Sequence, residues 1–137
     1  MQRNLQAAAL STLALLPVLS HATSAFADAA MECSAQVPTQ VEVASCVNEQ
    51  LRIADLALEQ ALEFARDSAT ELDSITGRVD AIPALEKSQA AWIGYRNAEC
   101  EYREALYAGG SGGGIAKVSC MVGLTRERLT EVMASLQ

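Results

Sequence analysis

The stretch Thr39–Ser68, TQVEVASCVNEQLRIADLALEQALEFARDS, decides the fold of this chain. Its apolar residues Ala44, Val47, Leu51, Ala54, Leu58, Ala61 and Ala65 recur in alternating steps of three and four. That spacing predicts one long amphipathic helix over roughly 40–68, with Asp55, Glu59, Glu63 and Arg66 on its wet side. Thr39 stands three residues before Glu42, the pattern of a capping box that starts the helix.

Downstream, residues 69–80 (ATELDSITGRVD) are polar and contain a glycine, so they read as a connection with room for an extra short turn of helix. Asp80 can cap a second helix over 81–108, and Pro83 falls in its first turn, where the missing N–H costs little. The run Gly109-Gly110-Ser111-Gly112-Gly113-Gly114 stops it. A third helix over 115–136 carries its own seam at Val118, Val122, Thr125, Leu129, Val132 and Leu136. Nothing alternates with the period of a strand and nothing repeats. The expected fold is all-α: a small antiparallel three-helix bundle forming one domain over 28–137. Residues 28–38 show no periodicity.

Upstream of the seam lies a targeting segment. Arg3, the apolar run LQAAALSTLALLPVL and the small-x-small triplet Ala25-Phe26-Ala27 read as a secretory signal peptide over 1–27. The apolar run is shorter than the roughly 20 residues that span a bilayer, so no membrane span is expected. Cys33 follows Ala-Met-Glu, a poor context for lipidation. A periplasmic or secreted bacterial protein is therefore expected.

The whole chain carries a formal net charge of −7. Without Arg3, nine basic residues face seventeen acidic ones, a net charge of −8. That balance argues against nucleic acid and anionic membranes as partners and suits a cationic one. The only histidine, His21, falls in the leader. Histidine-based nucleophilic triads and histidine-ligated metals are thereby excluded from the remainder, and no carboxylate pair stands out as a glycosidase site. No enzyme activity, metal or cofactor is expected.

Four cysteines, Cys33, Cys46, Cys100 and Cys120, form no C-x-x-C pair and read as two disulfides that staple the bundle. Cys100 and Cys120 each lie within about 12 Å of the glycine run along their helix axes, at 1.5 Å rise per residue, so a bond between them would join helices two and three. Cys33 would then tie the N-terminal segment to Cys46. Pairings of Cys33 with Cys100 or Cys120 stay open on sequence alone.

The segment Gln89–Cys100, QAAWIGYRNAEC, begins an aromatic concentration: Trp92, Tyr95, Tyr102 and Tyr107 are four of the five aromatics outside the leader. On a helical wheel Leu85, Ser88, Trp92, Tyr95, Glu99, Tyr102 and Leu106 share one face. Small alanines on helix one leave gaps that large rings can fill, so this face is expected to be core, with Glu99 paired to an arginine, foremost Arg126. The glycine run lacks the preceding strand and the lysine-serine pair of a phosphate loop. It reads as a flexible turn whose flanking residues Tyr107, Ser111 and Lys117 are candidates for contact with a partner.

The cysteine pair flanking Thr39-Gln40's neighbourhood, then Ala54-Asp55, Leu58, Gln89, Trp92, Tyr95-Arg96, Glu99-Cys100, Gly109-Gly110-Ser111, Cys120 and Leu124-Thr125-Arg126-x-Arg128, resemble the LprI-like family of exported bacterial proteins. The resemblance covers nearly the whole chain after the leader. It implies a helical, disulfide-bonded exported domain and, for some members, inhibition of lysozyme. The chain departs from the family's named inhibitor in lacking a lipid anchor, in a short polar segment around 70–79 and in the glycine run after Ser111. Two functions follow: a proteinaceous inhibitor that binds lysozyme or another cationic protein through its surface and loop, or an envelope binding or structural module with no lysozyme partner.

Overall fold

A computed structural model describes residues 28–136; the leader expected over 1–27 lies outside the described residues. Four helices follow one another: α1 (Ala29–Ser34), α2 (Gln40–Thr76), α3 (Ala81–Ala105) and α4 (Gly113–Ala134), and among the described residues there is no strand. α2 and α4 run parallel and pack directly on each other, and α3 runs antiparallel to both, as the core contacts require. Near the start of α2, Val43 and Val47 pack with Ala29, Cys33 and Val122; further along, Leu58, Ala61, Leu62 and Ala65 pack with Val132, Leu129, Leu85 and Trp92. The up-down-up bundle is as expected, with one short helix added at the N-terminus.

α2 starts where the capping box places it. Thr39 Oγ1 accepts from the Glu42 N–H, and the Glu42 carboxylate accepts from the Thr39 N–H. Its buried positions are Val43, Val47, Ala54, Leu58, Ala61, Leu62 and Ala65, so the seam is the predicted one except that Val43 and Leu62 join it and Ala44 and Leu51 are only half-buried. The helix does not stop at 68. It continues to Thr76 and ends at Gly77 in the left-handed region (φ 69), where glycine carries no Cβ penalty. The segment expected to be a connection is mostly helix, because nothing in ATELDSIT breaks one.

Asp80 occupies the N-cap of α3 but makes no side-chain capping bond. Asp73, on the preceding helix, does so instead. Its Oδ1 accepts from the N–H groups of Asp80 (3.2 Å) and Ala81 (3.0 Å), and its Oδ2 from Ile82 (3.3 Å). These bonds, foremost that from Ala81, hold the Asp73 carboxyl below its usual range. One side chain thus satisfies three orphan donors and fixes the α2–α3 hairpin.

The six-residue α1 is too short to show periodicity, and its stability comes from what it touches. Asp28 caps it by accepting from the Ala30 N–H (2.9 Å), which is shared with Ser119 Oγ (2.9 Å). Ser119 Oγ also donates to Asp28. Cys33 is fully buried and bonded to Cys46, and Cys100 is bonded to Cys120. The pairing left open by the sequence is therefore one bond tying α1 to α2 and one tying α3 to α4.

Candidate functional site

Three arginines, Arg96, Arg126 and Arg128, build the polar interior. Arg96 on α3 donates through one nitrogen to Asp55 Oδ1 on α2 (2.7 Å) and to Thr125 Oγ1 on α4 (2.8 Å), and its guanidinium lies 4.9 Å from the Trp92 ring centroid. The Arg96 side chain is 15% exposed and Thr125 is fully buried, so this knot joins all three long helices. Arg126 reaches Glu32 on α1 (3.1 Å) and Gln50 on α2. Arg128 binds the buried Gln89 (3.2 Å) and Ser88 (3.0 Å) on α3. The segment Thr125-Arg126-x-Arg128 thus supplies contacts to all three neighbouring helices.

The expected pairing of Glu99 with Arg126 is corrected by this arrangement. Glu99 pairs with Arg103 one turn along its own helix (3.1 Å), while Arg126 is taken by α1, an element the periodicity did not reveal. The expected core stripe is corrected too. Trp92 is half-buried against the Leu58–Val132 cluster, but Tyr95 is 57% exposed, Tyr102 61% and Leu106 64%. The side of α3 that faces inward is centred on Gln89, Arg96 and Cys100. The wheel direction chosen from the rings is rotated by roughly a fifth of a turn from it, at 100° per residue. Trp92 sits at the overlap of the two faces; the tyrosines lie beyond it.

At the other end of α3 the chain turns through Ala108 (φ 48) and Gly109 (φ 82) into the glycine run. Tyr107 lies over that run so closely that a Cβ on Gly112 would stand 3.0 Å from its Cε1. A side chain at this position would push the ring aside by a few tenths of an ångström. Ser111 Oγ makes a long bond to Gln40 Oε1 (3.4 Å). Lys117 Nζ pairs with Glu104 (2.8 Å), and that carboxylate raises the lysine's pKa. The three residues expected to contact a partner therefore stand around one end of the bundle without converging on a single point.

Two grooves open at this end. One, of about 480 Å³, runs between α2 and α4 and is lined by residues such as Val41, Ala44, Ser111, Ile115 and Val118, none of them charged. The other, of about 560 Å³, lies across α4 between α1 and the end of α3, with Asp28, Arg103, Leu106, Tyr107, Gly123 and Glu127 on its walls and floor. Among the described residues no group of histidine, cysteine and carboxylate side chains could hold a metal ion, and no helix is long and apolar enough to cross a membrane.

The sequence profile of the family described as lysozyme inhibitor LprI matches residues 30–132, a span that takes in all four cysteines, the Arg96 knot and the glycine run. The chain belongs to the LprI family. This LprI-family chain is 31% identical over 99 residues to an uncharacterized protein of Rhizobium meliloti (strain 1021), a match covering 69% of this chain and 71% of that protein. No solved structure matches it. Sequence reasoning about the LprI-family chain missed Gly123 and Glu127 on the α4 side of the second groove. Both lie off the α4 seam, between positions that keep its spacing, so no sequence pattern marked them.

Proposed function

We propose that this protein is an exported, non-catalytic binder that inhibits a lysozyme by occupying its surface. Membership of the LprI family over residues 30–132 carries this reading. The charge supports it. Lysozymes of the animal type are strongly basic, and a chain with a net charge of −7 would be steered towards them at low ionic strength. The glycine-loop end offers Tyr107 and Ser111 as contacts for the partner. Lys117 joins them only if its ammonium exchanges Glu104 for a carboxylate of the enzyme's cleft.

The test is muramidase activity in the presence of a micromolar excess of the oxidised protein, against several lysozymes. The expected outcome is inhibition that weakens as salt is added, since the Debye length shrinks to about 3 Å at 1 M salt. Full activity of every lysozyme in the panel would sink the reading and leave an envelope binding module without a lysozyme partner.

A further inference from the structure

We infer that the groove bounded by α1, the C-terminal end of α3 and the Ala116–Glu127 face of α4 is a docking surface for a basic protein, and that it receives a protruding lysine or arginine side chain. The nature of the partner rests on the lysozyme-inhibitor reading above; the location does not follow from it, and differs from the glycine loop.

Three observations meet at this groove. The first is aromatic. Tyr95, Tyr102 and Leu106 share one flank of α3 at helical spacing and are all more than half exposed; Leu106 and the 52%-exposed Tyr107 line the groove itself. The fold does not use these rings, although the chain has few others. Tyrosine gives a large, stiff contact area at small entropy cost and is enriched where proteins meet. The second is shape. The groove is concave, at about 560 Å³, and Gly123 on its floor has nothing within 4 Å of the place a Cβ would occupy.

The third is charge. Among the described residues Glu127 forms no ion pair, and the Asp28 carboxylate accepts only from Ser119 and the Ala30 N–H. Arg103, the one basic residue on the walls, is already matched by Glu99. Its side chains, Asp28 and Glu127 against Arg103, therefore carry one net negative charge beside the Tyr107 ring, which suits an ammonium or guanidinium group. The neighbouring groove between α2 and α4 lacks any charged lining and offers such a group nothing.

The test uses variants that should fold. Gly123→Gln fills the floor from a helical position with open space above it, and Glu127→Lys reverses the charge. Gly94→Gln, equally unobstructed on the outer side of α3, is the control. Dissociation constants are measured calorimetrically for the oxidised protein with an animal-type lysozyme and with ribonuclease A, a basic protein without muramidase activity. The expected result is a tenfold or greater weakening for both groove variants and none for Gly94→Gln. If lysozyme is inhibited and both groove variants bind as tightly as the parent, the groove inference fails and the inhibitor reading stands. If only ribonuclease A binds, and Gly123→Gln weakens it, the inhibitor reading fails and the groove stands. If neither basic protein binds, the groove inference fails outright.

Discussion

Arg96 shows how much one side chain can organise. Its guanidinium ties Asp55 to Thr125 and stacks on Trp92, so removing it leaves a buried hydroxyl without its donor. Arg96→Met and Thr125→Val are each expected to lower unfolding free energy by about 1–3 kcal/mol, with the double variant costing less than the sum. Denaturant titration of the four proteins in that cycle checks it; strict additivity would show that the two residues do not act as a unit. Asp73 makes a second prediction. Its folded-state pKa is lowered by the backbone donors of α3, so its stabilisation is present above the ordinary aspartate range and is lost as pH falls through the lowered value. The gap in thermal midpoint between the parent and Asp73→Ala should therefore be open at neutral pH and close in strong acid. Neither role was legible beforehand. Arg96 and Asp73 act on partners many positions away, 29 residues for Thr125 and 8 for Ala81, and periodicity reports only which way a residue faces on its own helix.

Among the elements, the long helices were written plainly in the chain. The Thr39–Glu42 box and the three-four seam gave the start and the inward face of α2, and the glycine run marked the break between α3 and α4. The end of α2 and the presence of α1 were not legible, for opposite reasons. Residues 69–76 are mostly polar but hold no glycine or proline, and composition alone does not separate a wet helix from a loop. α1 is fixed by tertiary bonds that no local pattern encodes. Those bonds predict unequal effects of removing each disulfide. In the chain-entropy account a closed loop of about 15 residues contributes roughly 3 kcal/mol. Replacing Cys100 and Cys120 by alanine should lower the global unfolding free energy by about that amount. Replacing Cys33 and Cys46 should in addition free the α1 amides to exchange with solvent, visible by hydrogen exchange at Ala30–Ser34, because α1 then keeps only non-covalent contacts: its packing on Val43, Val47 and Val122, the Glu32–Arg126 pair and the bonds to Ser119. Equal protection of α1 in both variants would contradict this.

For the whole molecule, the part of the candidate surface that could be read from the chain was its chemistry rather than its place. Acidity and the crowding of Trp92, Tyr95, Tyr102 and Tyr107 were visible at once. Which rings are buried was not, since a stripe that is apolar in sequence can lie on the flank of a helix whose true inner side is built from Gln89, Arg96 and Cys100. The placement of the two covalent bonds has a consequence for survival in a protease-rich milieu. One joins positions 33 and 46 and the other 100 and 120, so neither crosses the turn at Gly77–Val79. A single cut there would leave two oxidised pieces with no covalent tie, which non-reducing electrophoresis would separate into two bands. The persistence of the intact molecule then hangs on how well Asp73 keeps that turn closed to an attacking enzyme.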